Sequence, residues 1–469
     1  MLLDSLKKNA NFVPYVNTGT IFDILTGRFR QGTKANWVLD GGISQCLGIS
    51  GRGQTYKSNL AGSLLARAMN VYKDAEAYVY ESENTIPSAA RYDDFVPAEA
   101  PVSGRIAVMN PTDCSLTGFY DNFKRIVDDK ISHRADYMME SPFLNPMTGK
   151  PYKCWYPTFV LIDSFSRARS EAGDQQVENH SVDDSKMNTY YLFDGNVKSR
   201  IMNDLPSRAS RAGVYVLMTA HVGDKMDMDP YSPSPKQLQY MKNNDRMKNV
   251  GSNFEFLTTA LIQTLKATCL QTPDRKCLYP NENSTDVEVN QVDAMLVRCK
   301  NNASGVLTPF IVSQYQGILN EVTNFNILKN FRNYGMNVKG NNQTFNPILT
   351  PDLHLSRRNI REYANDYKVN RALEILAQLC FIQNNWSTFR MPPYINTPPE
   401  KLAEYLCTST SMTTDRVLES IGTWNFGKQE REFLTIMDIL QIMDKEVNSG
   451  KVSVAVSAPK TEEPKEPVL

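Results

Sequence analysis

Residues 46–58 read Cys46-Leu-Gly-Ile-Ser50-Gly51-Arg52-Gly53-Gln54-Thr55-Tyr56-Lys57-Ser58. The first five are a short apolar run suited to a buried strand, and the stretch from Ser58 to Met69, SNLAGSLLARAM, has the spacing of a helix. A glycine-bearing turn between a strand and a helix N-terminus offers a phosphate several backbone N–H donors, the positive end of a helix dipole and, at Lys57, a fixed cation. In that arrangement Gly51, Arg52, Gly53, Gln54, Thr55 and Tyr56 wrap the phosphates of a nucleotide. Lys57 reaches the β- and γ-phosphates, and the Ser58 hydroxyl holds Mg²⁺. Tyr56 stands where the pattern calls for glycine before the lysine. An ordinary glycine-rich turn is the alternative for the octapeptide taken alone.

Working outward, the next acids narrow the choice. Hydrolysis of a nucleotide needs one carboxylate to take a proton from water and another near the metal. Glu83 follows the apolar run at 77–81, and Asp163 ends the run TFVLID. Ends of parallel strands are where an open α/β sheet places its ligand crevice. ATP with Mg²⁺ is therefore the expected cofactor pair, with Asp163 joining Ser58 at the metal. His221 ends the strand-like VYVLMTA and is either a sensor of the γ-phosphate or a polar strand end. In the stretch after it, Lys236, Lys242, Arg246 and Lys248 stand against Asp245, a net +3, with Tyr231 and Tyr240 close by. Basic residues interleaved with aromatics suit a nucleic-acid strand, and a solvated charge run is the plainer alternative.

The whole chain bounds these readings. It has 469 residues, with 51 Lys+Arg against 51 Asp+Glu. Zero net charge excludes a protein that coats nucleic acid by bulk positive charge, so any contact must come from local patches. An apolar fraction of 41% excludes a mostly disordered chain. Eight scattered cysteines make no disulfide framework, and four histidines offer no zinc spacing. The opening MLLDSLKKNANF lacks the apolar core of a signal peptide, and no run approaches membrane-spanning length. A soluble, cytoplasmic protein without membrane partners is expected.

Alternating strand-like and helical texture over 41–335 predicts an α/β fold with a mostly parallel twisted sheet flanked by helices. The expected strands are 46–50, 77–81, 105–109, 159–163, 214–220, 294–299 and 309–314. The expected helices are 58–72, 119–131 and 197–212. Residues 132–157, 165–195 and 222–250 read as long loops. Residues 1–40 form a lead-in and possible oligomerisation segment, 336–449 a mainly helical C-terminal domain, and 450–469 a disordered tail. Within 336–449, Ser356 is the expected N-cap of a helix bearing Arg357, Arg358, Arg361, Lys368 and Arg371, either as its solvated face, the preferred reading, or as a second DNA contact. Further helices are expected from Pro398 and over 430–447.

The motifs together resemble a known family. The stretch LDGGISQCLGISGRGQTYKSN at 39–59 is similar to the phosphate-loop region of RecA-like recombinases, most closely the bacteriophage UvsX branch, whose members also carry an aromatic residue before the lysine. The resemblance continues in order through TGTIFDILTG at 18–27, YESEN at 80–84, VLIDSFSRA at 160–168, TAH at 219–221 and LVRCKNNASGVLTPFIVSQYQGILNE at 296–321. It implies a RecA-like P-loop core and a DNA-dependent ATPase that assembles on single-stranded DNA and promotes homologous pairing and strand exchange with duplex DNA. Recombination, repair and replication of phage DNA would be its setting, in the host's cytoplasm. By the resemblance Glu83 is the general base, Lys57 and His221 act on the γ-phosphate, and Lys300 reaches the ATP of a neighbouring protomer. Arg167, Arg169, Lys236, Lys242, Arg246 and Lys248 fall on the two DNA-binding loops, although the first of these turns acidic beyond Arg169. Self-assembly into a filament or ring, a loader and a single-strand-binding protein are the implied partners. A hexameric replicative helicase on the same core, or an ATP-binding accessory protein that does not hydrolyse, are the alternatives.

Overall fold

Runs of Val, Ile and Leu without polar alternation must be buried on both faces, and the centre of this fold is made of them. The computed structural model of the chain describes residues 12–83, 88–171, 175, 187–224, 237–251, 253–281, 288–340, 343–386, 391–426 and 430–452. In chain order its strands are β1 (Arg28–Gln31), β2 (Trp37–Asp40), β3 (Cys46–Gly51), β4 (Ala77–Glu81), β5 (Ile106–Met109), β6 (Met138–Asn145), β7 (Lys150–Trp155), β8 (Thr158–Asp163), β9 (Val214–Asp224), β10 (Asp245–Met247), β11 (Ala260–Cys269), β12 (Val289–Cys299), β13 (Val306–Ser313), β14 (Gly317–Ile318), β15 (Met336–Lys339) and β16 (Thr344–Pro347). The main helices are α1 (Phe22–Thr26), α2 (Lys57–Val71), α3 (Leu116–Ser132), α4 (Met187–Ala212), α5 (Asn320–Asn330), α6 (Tyr367–Asn385), α7 (Pro399–Thr408), α8 (Thr414–Glu419) and α9 (Ile436–Asn448).

One ten-stranded mixed sheet runs β14-β13-β12-β11-β3-β9-β8-β4-β5, with β10 added to the end of β9. Neighbours from β11 through β3, β9, β8 and β4 to β5 are parallel. The β12, β13 and β14 side is antiparallel. The strand β3 sits between β9 and β11, yet the chain leaves it through α2 for β4, beyond β9 and β8. That reversal of strand order opens a crevice at the carboxyl ends of β3, β9 and β8.

Alternate residues of each central strand feed opposite faces. Leu161 of β8 and Tyr215 and Leu217 of β9 join one core with Leu60, Leu64 and Met69 of α2 and with Val322 and Phe325 of α5. Val160, Ile162, Val216 and Met218 join the other, under Phe119, Phe123 and Val127 of α3 and Ile201, Met202 and Leu205 of α4. Burying one such side chain stabilises the fold by about 1.5–3 kcal/mol. The first core continues from Val16 to Leu373, Leu376, Leu440 and Met443 of the C-terminal helices. Polar ties follow the same path: Trp37 N–H donates to Asp438 at 2.6 Å and Trp424 N–H to Asn17 at 3.1 Å. Among the described residues no helix is long and apolar enough to cross a membrane.

Several expectations need correcting. Residues 132–157 are not a loop but hold the antiparallel hairpin β6–β7. The helix expected from 197 extends back to Met187. The strand expected over 214–220 runs on to Asp224 and pairs with β10, inside the stretch read as a loop at 222–250. The strand β11 was not expected, because its buried first half carries polar Gln263 and Thr264. Ser356 caps only a turn, accepting from Arg358 N–H at 3.2 Å. Helix α6 begins at Tyr367, where Asp366 accepts from the N–H groups of Lys368 and Val369. A capping box between Thr435 and Asp438 starts α9 six residues later than expected. Nor do the arginines near α6 share a solvated face, since Arg361 and Arg371 are both buried. The tail beyond 452 and the first eleven residues lie outside the described residues.

Candidate nucleotide site at the sheet's carboxyl edge

Gly51 ends β3 where a Cβ would overlap the hydroxyls of Thr264 and Thr55, so the turn closes only around glycine. Thr55 Oγ1 donates to the Arg52 carbonyl at 2.8 Å and lies 2.7 Å from Thr264 Oγ1, pinning the loop to β11. At Gly53 a Cβ would meet nothing within 4 Å, and the loop backbone there faces open space into which a phosphate can approach. Gln54 and Tyr56 are left-handed, with φ of 60° and 61°. Glycine adopts that conformation without cost, and another L-residue loses roughly 1–2 kcal/mol there. Tyr56 has a counterweight that glycine lacks: Asn290 Nδ2 of β12 donates to its hydroxyl at 2.8 Å.

Helix α2 starts at the next residue, with Lys57 only 7% exposed at its first position. Ser58 Oγ donates to Asp163 Oδ1 at 3.1 Å, joining the helix start to the end of β8. Thr219 of β9 donates to the same oxygen. Burial raises the Asp163 pKa above the usual aspartate value, against the pull of Thr219, Ser58 and the Lys57 charge. The Ser58 and Asp163 oxygens form a hard donor pair of the kind Mg²⁺ takes when substrate phosphates and water complete its shell. Among the described residues no group of three or more His, Cys, Asp or Glu side chains could hold a metal by itself.

Glu83 stands two residues past β4, on a turn fixed by its own N–H donating to Glu81 at 3.1 Å. Reciprocal hydrogen bonds between Ser82 and Ser164 hold that turn against the end of β8, at 2.9 and 2.8 Å. The contacts of Glu83 gather on Oε1: His221 Nε2 at 2.8 Å, Ser164 Oγ at 3.1 Å and Arg167 Nε at 3.6 Å. A carboxylate only accepts, so His221 carries its proton on Nε2. Burial pushes Glu83 upward, but His221, Ser164 and the Lys57 charge outweigh it and hold the carboxyl below the ordinary glutamate range.

Lys57, Ser58, Asp163, Glu83 and His221 are thus brought to one crevice. Other expected residues lie elsewhere. Arg52 leaves the loop sideways to Asp224 and Asp245, at 2.6 and 2.7 Å. Lys300 is exposed at the far edge of the sheet: it follows Cys299, which pairs with Ala260, which pairs with Leu47 near the start of β3. The length of β3 puts it some 20 Å from the loop of its own chain. Arg167 points at Glu83, and Arg169 is exposed beyond it. Lys242, Arg246 and Lys248 are exposed on a segment whose Met241, Met247 and Val250 are buried against the sheet. Lys236 lies outside the described residues.

Sequence reading passed over Thr219, Ser164, Glu81 and Ser166, whose Oγ accepts from His221 N–H at 3.1 Å. All four lie inside the stretches YESEN, VLIDSFSRA and TAH, and a polar side chain in or just after an apolar run was the available signal. Compared with protein-family models and with curated proteins, the chain finds no match.

Proposed function

We propose that the protein is a DNA-dependent ATPase of the RecA-like recombinase type, which assembles on single-stranded DNA and pairs it with a homologous duplex. The observation that carries this reading is the convergence of phosphate loop, Ser58–Asp163 pair and His221–Glu83 pair at the carboxyl ends of neighbouring strands. The amides of Gly51 to Ser58 and the Lys57 ammonium hold the triphosphate. Ser58 and Asp163 would hold Mg²⁺, which supplies charge neutralisation at the phosphate oxygens. Glu83, kept ionised, accepts the proton of the attacking water while its Oε1 stays fixed by His221 and Ser164.

The remaining parts fit the same reading. Lys300, at the opposite edge from its own loop, would serve a neighbour in a head-to-tail assembly, where one protomer's far edge meets the next one's crevice. Lys242, Arg246 and Lys248 supply phosphate contacts confined to one segment, in keeping with a chain of zero net charge.

The coupling of His221 to Glu83 has a pH signature. His221 favours the charged carboxylate, so His221→Ala raises the Glu83 pKa. The acid limb of kcat/KM for ATP hydrolysis then moves to higher pH, and a limb that stays in place in the variant refutes the coupling. The activity itself is tested by mixing circular single strands with homologous linear duplex, ATP and Mg²⁺. Joint molecules are the expected product. Unwinding of a forked duplex without joint molecules would favour the helicase instead.

A further inference from the structure

By the order of the motifs Arg167 belongs to a DNA-binding loop, yet the fold brings its guanidinium to Glu83. It sits just past β8, in a turn that its own N–H closes on the Ser164 carbonyl at 3.1 Å. Its Nε lies 3.6 Å from Glu83 Oε1, and among the described residues no other Arg or Lys comes within 4 Å of that carboxylate. The separation is too long for a hydrogen bond, and the side chain is 65% exposed, so the fork of the guanidinium is accessible. Two other arginines near the loop are bound elsewhere. Arg52 is held by Asp224 and Asp245, and Arg91 by Asp94 and the Gln314 and Tyr315 carbonyls. Lys57 is buried at the start of α2, and Lys300 lies at the opposite edge of the sheet. Nor is Arg167 what keeps Glu83 ionised, since His221, Ser164 and Lys57 do that.

We infer that Arg167 is a catalytic residue of ATP hydrolysis, a cation that the protomer's own chain supplies to the γ-phosphoryl group, and not a DNA contact. The inference rests on the reading of the crevice as an ATPase site and goes beyond it by adding a residue to the reaction. In that reaction the water oxygen bonds to the γ-phosphorus, and the bond from that phosphorus to the bridging oxygen breaks. The electron pair of the broken bond leaves on ADP, and one water proton passes to Glu83. With the base about 3 Å from the water and the water about 3–3.5 Å from phosphorus, the γ-phosphoryl oxygens lie one water's span from Glu83. A guanidinium beside that carboxylate reaches the same oxygens. The loose transition state spreads charge over them, and a planar fork of donors meets two at once, where the Lys57 ammonium is a point charge. Part of the catalytic charge is then present before any neighbour contributes Lys300.

The test compares the full chain with Arg167→Ala and Arg167→Lys, using ATP and Mg²⁺ without DNA. Arg167→Ala is expected to lower the single-turnover rate by about 10²-fold or more, and Arg167→Lys to recover only a small part of it. Affinity for ADP should stay within about twofold, while affinity for ADP with aluminium fluoride, which mimics the planar phosphoryl group, falls with the rate. The acid limb of kcat/KM should stay in place, in contrast to His221→Ala. Binding of a fluorescent oligothymidylate should keep its dependence on salt, whereas a lost phosphate contact would lower the slope of log K against log salt by about 0.7. A rate within about threefold of the wild type overturns the inference, and a lower salt slope in the same variant would return Arg167 to DNA. A slower rate with the acid limb displaced and the aluminium fluoride complex bound as before also overturns it, because Arg167 would then act through Glu83 alone. A wild-type chain that hydrolyses no ATP removes the ATPase reading itself.

Discussion

Glu83→Gln is expected to lower kcat for ATP hydrolysis by about 10²–10⁴-fold, the range that a positioned general base contributes. The substitution is nearly isosteric, and the amide oxygen of glutamine can still accept from His221 and Ser164 in place of Oε1. What it cannot do is take a proton from water. Nucleotide affinity should change little, because the loop amides, Lys57, Ser58 and Asp163 are untouched and Arg167, being exposed, loses an ion pair of small value. Single-turnover hydrolysis with a parallel nucleotide-binding titration separates the two effects. A variant that hydrolyses within about tenfold of the wild type would remove Glu83 from the base role. Buried Glu81, bonded to the Glu83 backbone, would then be the next carboxylate to test.

Arg361→Ala carries the largest expected loss of stability. The guanidinium donates to both oxygens of Glu288, at 3.2 and 3.0 Å, and to Gln316 Oε1 at 2.7 Å, with Ser313 Oγ donating to Glu288 at 2.6 Å. Both charged side chains are only 3% exposed. Truncating one partner strands the other charge in the interior, at a cost of about 3–5 kcal/mol. The pair joins the stretch before α6 to the start of β12, so the loss should appear as a lower urea midpoint. The double variant Arg361→Met with Glu288→Leu should recover much of the loss, since apolar residues of similar volume leave no charge unpaired. A loss below about 1 kcal/mol in the single variant would mean that water reaches the pair.

Those two residues illustrate what the sequence could and could not disclose. The strand, turn and helix start of residues 46–58 were legible because their parts are local: an apolar run, glycines and Lys57-Ser58 lie within thirteen consecutive positions. The acids at the ends of β4 and β8, and His221 on β9, were legible because each closes an apolar run whose strand end falls at the same edge of a parallel sheet. Arg361 was misread because its partner is 73 positions away, and nothing local distinguishes a buried arginine from a solvated one. Strand β11 was missed for a related reason. Its Gln263 and Thr264 face Asp245 and Thr55 rather than solvent, and polar residues placed for those contacts break the hydrophobic pattern that marks a strand. The hairpin β6–β7 was hidden by Pro142 and by its edge position, where exposed residues dilute the alternation. Arg52 fell inside a recognised motif, yet which way it points depends on the distant Asp224 and Asp245.

The most direct measurement is the steady-state rate of ATP hydrolysis by the wild-type chain, with and without single-stranded DNA, and sedimentation of the same samples. The account predicts slow turnover alone, a marked rise on adding DNA, and ATP-dependent co-sedimentation of protein with the strand. Nucleotide binding without turnover or assembly, whether DNA is present or absent, would contradict it.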